Sequence, residues 1–125
     1  MLTSTAIDYL RFQQMILNGG ELDGVRILDQ KTVELMLKNH IGDLTTWPNA
    51  KGEGYGLGFG IVKDPDSAST PQSKGTVYWA GAHTTFFWID PKEELIAIFM
   101  TQLLPNRKLD IELQFKKLVY QAIVE

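Results

Sequence analysis

The residues best able to do chemistry lie in the run from Trp79 to Pro91. Within it, His83 is a side chain that can act as a general base near neutral pH. Such a base needs an adjacent nucleophile, and the neighbouring Thr84 and Thr85 are poor candidates. The other histidine, His40, is far away in the sequence, and we expect it to be a solvated residue at a helix end, where it interacts with the helix dipole. Neither histidine has an acidic partner motif nearby, so the sequence predicts no metal site.

Two further motifs lack the residues that a ligand site of their kind requires. The alternating glycines from Gly54 to Gly60 contain no G-x-G-x-x-G that opens a helix, which argues against a nucleotide-binding loop. Asp64-Pro65-Asp66 has too few carboxylates for a calcium loop, because Ala68 and Ser69 follow it. The sequence therefore predicts no cofactor.

Size and composition narrow the class of protein. A chain of 125 residues, 44% of them apolar, predicts a single domain over residues 1–125 with enough material for a core. The net charge of −3 with mixed signs argues against nucleic acid as a partner. The longest apolar run, Leu95 to Met100, has six residues, far fewer than the roughly 20 of a membrane span.

The cellular location stays open on the sequence alone. Cysteine is absent, which excludes disulfides and thiolate metal sites but does not fix the redox compartment. No basic stretch followed by an apolar one precedes the first helix, so we expect no secretory signal in this segment. A longer parent protein would leave that question open.

Three helices are predicted to position residues 79–91. Ser4 or Thr5 can cap the first, which runs to about Asn18 and ends at Gly19-Gly20. The second should begin after Asp29 and continue to about Asn39. The third should span residues 109 to 124. Their predicted buried faces, taken in order, are Ile7, Leu10, Gln14 and Leu17, broadened by Ile16; Val33, Met36 and Leu37; and Ile111, Phe115, Leu118, Val119, Ala122 and Ile123.

Strands account for most of the remaining chain. We predict one glycine-alternating strand over residues 54–62, whose bare side allows another group to approach the backbone closely. Residues 63–75 form a loop, and strands follow at about 76–80, 85–89 and 95–102. Short connections make this sheet antiparallel. In Phe86-Phe87-Trp88, alternation should divide the side chains between core and surface, and an exposed one could serve a binding surface. The predicted fold class is α+β, an antiparallel sheet of about three to four strands packed by N-terminal helices and a long C-terminal helix.

Four segments in this order resemble one protein family. Leu2 to Phe12 resembles the helix that opens the C-terminal half of class C β-lactamase-like proteins, and Leu22 to Met36 resembles the next stretch. Gly54 to Gly60 is similar to the family's glycine-alternating strand, and Phe87 to Pro91 to its strand and turn. The resemblance is greatest to the esterase and penicillin-binding-protein-like branch. It implies a partial β-lactamase-like fold and the C-terminal part of a serine hydrolase.

The family's nucleophile is not found in this sequence. Members use the serine of S-x-x-K, assisted by the tyrosine of Y-x-N. The four serines here are followed at the third position by Ile7, Thr70, Gln72 and Thr76, never by lysine. The four tyrosines are followed at the second position by arginine, leucine, alanine and alanine. The resemblance therefore implies no catalytic residue in this chain, and whether it is an enzyme by itself stays open.

The resemblance does imply a third active-site element. It falls on Trp79-Ala80-Gly81, where the esterase branch often has Trp-Gly-Gly, so Ala80 is a departure. In the family this element belongs to a sheet-edge strand beside the nucleophile. The amide of Ala82 would be one donor of the oxyanion hole, and the serine's own amide would be the other. Trp79 would line an acyl pocket or serve as a sheet aromatic, and His83 is a further possible site residue.

Two functions follow as hypotheses. In the first, the chain is part of a serine hydrolase that cleaves a small ester or amide through an acyl-enzyme, and it is inactive alone. In the second, it is a non-catalytic binding or self-associating module derived from that scaffold. A sheet edge and an apolar surface left uncovered would then favour a homodimer.

Overall fold

The computed structural model describes residues 3–48, 50–104 and 110–123. The helices are α1 (Ala6–Leu17), α2 (Gln30–Met36), α3 (Pro65–Ala68) and α4 (Ile111–Gln121). The strands are β1 (Glu21–Leu22), β2 (Val25–Arg26), β3 (Glu53–Tyr55), β4 (Gly60–Val62), β5 (Val77–Ala80), β6 (Phe86–Asp90) and β7 (Leu95–Phe99). Among the described residues, no helix is both long enough and apolar enough to cross a membrane.

The seven strands form two antiparallel sheets. β1 and β2 make a small hairpin, and the larger sheet has the order β3-β4-β5-β6-β7, so each strand lies beside its neighbour in the chain. The register of the central pairs, such as Tyr78 opposite Trp88 and Trp88 opposite Ala97, follows from short connections. The α+β class with an antiparallel sheet is confirmed, with five strands in the main sheet rather than three or four.

Alternation along β5, β6 and β7 divides the core into two layers. Val77, Phe87 and Ile89 face a cluster that includes Met15, Ile16 and Val33 of the first two helices. Phe86, Trp88 and Ala97 face the opposite side, where Ile111, Phe115, Val119 and Tyr120 of α4 pack on them. The predicted docking of the last helix on this sheet is thus observed, but Leu118, Ala122 and Ile123, which were predicted to be buried, are exposed. Because helices cover both faces, Phe86, Phe87 and Trp88 are all buried, and the expected division between core and surface is wrong.

The glycine-rich segment is two strands rather than the single strand predicted. The chain turns between β3 and β4, where the amide of Gly56 donates to the carbonyl of Phe59 at 2.8 Å and Gly58 takes a φ of +93°. An alternation with period two cannot distinguish one long strand from two strands joined by a tight turn, if the alternation continues in phase across the turn. The expected close approach is correct: a side chain on Gly54 would collide with Asn39, and one on Gly60 with the ring of Tyr78.

The buried face of α1 agrees with the prediction at Ile16 but differs from it at Ile7 and Leu10. Gln13, Met15 and Ile16 are buried, whereas Ile7 is 68% exposed and Leu10 is exposed as well. The cap is as predicted, since the Thr5 hydroxyl accepts from the amide of Asp8 at 3.2 Å. The helix is apolar on more than one side, so its periodicity does not decide which side meets the sheet.

Candidate functional site

The predicted site residues lie at the end of β5 and in the loop that leads to β6. Trp79 and Ala80 close the strand, and residues 81–85 form the connection. The amide of Gly81 donates to the carbonyl of Thr85 at 2.7 Å, and the amide of Thr84 donates to the carbonyl of Gly81 at 3.2 Å. Thr84 holds a φ of +62°, which the tight turn requires. These contacts fix the backbone on both sides of Ala82.

β5 is an interior strand for half its length and an edge for the rest. Its pairing with β4 joins Ile61 to Val77 and Gly60 to Tyr78 and goes no further, whereas its pairing with β6 continues to Ala80. The expectation of an edge strand is therefore wrong for Val77 and Tyr78, because β4 covers them. At Trp79 and Ala80, the side of the strand that faces away from β6 carries no partner strand in the described part of the chain.

The amides at this open end are available to a ligand. Because the Gly81 amide points to β6, the alternation of an antiparallel ladder directs the Ala80 amide away from β6. Ala82 is exposed, and its amide donates to no acceptor within residues 3–48, 50–104 and 110–123. An N–H without an intramolecular acceptor, on an exposed residue of a fixed turn, can stabilise an oxyanion without reorganisation.

His83 is held through its backbone. Its carbonyl accepts from the Thr101 hydroxyl at 2.7 Å and from the amide of Leu103 at 3.3 Å, which ties the turn to the segment after β7. Thr84 adds a bond from its hydroxyl to the Leu103 carbonyl at 2.9 Å. The half-buried imidazole of His83 makes no hydrogen bond to a described residue. The described residues therefore include no hydroxyl that is hydrogen-bonded to this ring and could be activated by it.

Trp79 forms one side of an open cleft of about 310 Å³. Its ring makes an edge contact with Tyr55 on β3, the ring centroids being 5.1 Å apart. The cleft is lined by Ile41, Leu44, Thr45, Thr46, Trp47, Tyr55 and Trp79. Sequence reasoning missed residues 41–46 because their stretch is polar and irregular. The one available signal was Trp47, because it is a large aromatic residue in a loop that is otherwise polar.

Asn39 is the residue that shapes this loop, and no sequence pattern points to it. Its Oδ1 accepts from the amides of Tyr55 at 3.0 Å and Ile41 at 3.3 Å, and its Nδ2 donates to the carbonyl of Gly42 at 2.8 Å. Gly54 makes room for it, as described above. One amide side chain thus joins the start of the loop to β3.

On the face of the sheet that α4 covers, a polar cluster holds β5 in position. The Tyr78 hydroxyl donates to Oε2 of Glu53 at 2.5 Å, and Lys116 lies over the Tyr78 ring at 5.5 Å. Burial first, and then the Glu53 carboxylate, raise the pKa of Tyr78 well above its ordinary value. The phenol stays neutral and serves as a donor between β3 and β5. Within the described residues, no group of three or more acidic or histidine side chains could hold a metal ion.

An α+β fold with an antiparallel sheet and helices on both faces matches the β-lactamase-like fold. The family model named Beta-lactamase matches residues 1–121, and the chain belongs to this family. The resemblance proposed from the sequence is thereby confirmed.

Relatives and solved structures agree with this assignment. Protein Rv1367c and the uncharacterized protein MT1414, both from Mycobacterium tuberculosis, are each 36% identical over 118 residues, which cover 87% of this chain and 29% of theirs. The structure of EstCE1, titled a hydrolase with promiscuous acyltransferase activity, is 28% identical with a TM-score of 0.78 and covers 94% of this chain and 30% of its own. Simvastatin synthase (LovD) from Aspergillus terreus shares the fold at 22% identity, with a TM-score of 0.70 over 90% of this chain and 33% of its own. The chain thus spans about a third or less of the length of these relatives.

Proposed function

We propose that this chain supplies one wall of the acyl-transfer site of a serine hydrolase. In that site a serine oxygen attacks the carbonyl carbon of an ester or amide, the alcohol or amine leaves, and water then releases the acid from the acyl-enzyme. The observation that carries the proposal is the open end of β5, where Ala82 presents a free amide on a fixed turn. That amide would be one of the two donors to the oxyanion. Ala80, Gly81 and Trp79 hold it in place beside the substrate.

The attacking serine would come from another segment. None of the four serines of this chain has a lysine three residues later, so no residue here has the pairing that activates the family's nucleophile. The chain alone is expected to turn over neither p-nitrophenyl butyrate nor a chromogenic β-lactam. Turnover that a serine-directed inhibitor abolishes would contradict this part of the proposal.

A chimera tests the wall itself. In the chimera, residues 3–123 of this chain replace the matching third of EstCE1, and the rest of EstCE1 is kept. The rate of p-nitrophenyl butyrate hydrolysis is then measured. Ala82→Pro in the chimera removes the amide hydrogen and should lower kcat by about 10²–10³-fold. Ala82→Gly keeps the amide and should change kcat little. Equal kcat values for these two variants, with both folded by circular dichroism, would overturn the role of Ala82.

The rival function, a self-associating module, rests on uncovered apolar surface. Ile7 on α1 is 68% exposed and lies about one turn before the likewise exposed Leu10. The outer strands β3 and β7 each pair on one side within the described residues. A second copy of the chain would cover this surface. Sedimentation velocity over a concentration series should then show a dimer that Ile7→Glu disrupts and that Leu118→Glu, on the far side of the molecule, does not. A monomer at every concentration would exclude this function.

A further inference from the structure

We propose that Thr101 is a positioning residue for acyl transfer, because its hydroxyl holds the turn that carries the Ala82 amide. The inference rests on the proposed function for the use of that amide as a donor to the oxyanion. It goes further because Thr101 lies beyond β7, outside the strand end and the turn that form the candidate site. Thr101 acts through the backbone of the turn and needs no contact with the substrate.

Thr101 contacts two successive carbonyls of the turn. Its Oγ1 lies 2.7 Å from the carbonyl oxygen of His83 and 3.3 Å from that of Thr84. Because a hydroxyl has a single proton to donate, the shorter contact is the main hydrogen bond. Thr101 is half-buried, and a hydrogen bond that is partly shielded from water is stronger than one at an open surface. The hydroxyl thus fixes the backbone immediately after Ala82.

The segment after β7 makes two further bonds to the same turn. The amide of Leu103 donates to the carbonyl of His83 at 3.3 Å, and the Thr84 hydroxyl donates to the carbonyl of Leu103 at 2.9 Å. On the other side of Ala82, the amide of Gly81 is already bonded across the turn. Ala82 therefore lies between two anchored neighbours, and the direction of its amide depends on both anchors.

Thr84 needs these contacts because its backbone is strained. Its φ of +62° lies in the left-handed region, which β-branched residues rarely adopt. Strain of this kind persists only where the surrounding structure holds it, and it is concentrated at functional sites. Thr84 is held at its carbonyl by Thr101 and at its hydroxyl by Leu103. Without the Thr101 hydroxyl, we expect the turn to relax to other backbone conformations and the Ala82 amide to lose its fixed direction.

The mobility of the turn can be measured on the purified, ¹⁵N-labelled chain. Thr101→Val keeps the shape of the side chain and removes the hydroxyl, whereas Thr101→Ser keeps the hydroxyl. In relaxation measurements, the backbone order parameters of Ala82 and His83 should fall from about 0.85 to below about 0.6 in Thr101→Val and stay high in Thr101→Ser. Thr32→Val is the matched control, since Thr32 is exposed on α2 and its hydroxyl bonds to no described residue.

The chimera with EstCE1 measures the effect on catalysis. Thr101→Val should lower kcat for p-nitrophenyl butyrate by about tenfold, since a misplaced donor loses part of the roughly 10²–10³-fold that a missing donor costs. KM should stay unchanged, because the donor stabilises charge that develops only in the transition state. Thr101→Ser should restore kcat. Active sites are counted by titration with a fluorophosphonate, so that a loss of folded enzyme does not imitate a lower kcat.

A second variant covers the case in which Thr101→Val does not fold. Thr84→Val keeps the branched side chain and removes the hydrogen bond to the carbonyl of Leu103. It loosens the same contact between the turn and the segment after β7, so the order parameter of Ala82 should fall in the same direction. An unchanged order parameter in Thr84→Val would then count against the proposal.

The outcomes separate the two proposals. A lower order parameter at Ala82 in Thr101→Val, together with a lower kcat per active site, would support the positioning role. Equal order parameters in Thr101→Val and Thr101→Ser would overturn it, and so would an unchanged kcat in a chimera that Ala82→Pro does slow. If Ala82→Pro leaves kcat unchanged while Thr101→Val loosens the turn, the donor role of Ala82 fails and the hold of Thr101 on the turn stands. In an inactive chimera, which counts against the proposed function, the order parameters alone decide whether Thr101 holds the turn.

Discussion

The hydroxyl of Tyr120 donates a hydrogen bond of 2.6 Å to Oδ2 of Asp90 and so joins α4 to the last residue of β6. Asp90 is fully buried, and its carboxylate also accepts from the amides of Ser73 at 3.0 Å, Lys92 at 3.1 Å and Glu93 at 3.3 Å. One side chain therefore holds together the turn before β7, the loop before β5 and the last helix. This arrangement keeps α4 on the sheet whose other end carries the candidate site.

Replacing Tyr120 by phenylalanine should lower the free energy of unfolding by about 1.5–3 kcal/mol, because it removes a hydrogen bond to a buried charge. Urea unfolding at neutral pH measures the change. Tyr9→Phe is the control, since that half-buried tyrosine packs its ring on Phe87 and its hydroxyl bonds to no described residue. Equal losses in the two variants would show that the hydrogen bond to Asp90 contributes nothing.

Because of the Asp90 carboxylate, we expect the stability of the fold to depend on pH. Burial by itself would raise the pKa of Asp90, but the hydrogen bonds from Tyr120 and the Ser73 and Glu93 amides outweigh it and hold that pKa below its ordinary value. A carboxyl group whose pKa is lower in the folded state than in the unfolded state stabilises the fold above the unfolded-state pKa of about 3.9. This stabilisation is lost as the pH falls through the folded-state pKa.

Tyr120→Phe raises the folded pKa of Asp90 towards the unfolded one, so this contribution becomes smaller. The difference in unfolding free energy between the original chain and the variant should be constant near neutral pH and should shrink below about pH 3.9. Urea unfolding at a series of pH values measures it. A difference that stays constant down to the acid limit of folding would contradict the assignment.

Gly81 should tolerate no side chain while Thr85 is present. A Cβ at Gly81 would overlap Oγ1 of Thr85, and the backbone of Gly81 is not left-handed, so the cost is this contact alone. Gly81→Ala should destabilise the chain by about 1–3 kcal/mol. Thr85→Ala should restore most of that loss in the double variant, as a double-mutant cycle would show. If the effects of the two substitutions were additive, the loss of stability in Gly81→Ala would not come from the contact with Thr85.

Gln13 offers a way to stabilise the chain. It is fully buried in α1, and both atoms of its side-chain amide lack a hydrogen-bond partner among the described residues. Gln13→Met keeps the size and removes the polar atoms, so thermal unfolding should show a gain of about 1–3 kcal/mol. Gln14→Met is the matched control: it loses the bond to Oδ1 of Asn18 at 2.9 Å and should not stabilise. A loss at Gln13 would show that its amide is satisfied.

Local chemistry determined much of the fold. The cap at Thr5, the left-handed Gly19 and Gly20 after α1, and the positive φ of Asp23 and Gly24 between β1 and β2 are decided by the residues themselves. The three strands from Val77 to Phe99 were also predictable, because their turns are short and their apolar residues are β-formers. Family membership followed from the order of such segments.

The tertiary structure decided what each face meets. Periodicity predicted that Ile7 and Leu10 are buried, but Gln13 and Met15 of α1 are buried instead, and only packing chooses between two sides of the helix. In the same way, the end of β5 is open because β4 stops opposite Tyr78, and the cleft exists because Asn39 brings residues 41–47 up to Tyr55 and Trp79. These contacts join residues distant in sequence, so no local pattern encodes them. The sequence thus determined the elements and the family, whereas long-range packing determined the shape of the candidate site.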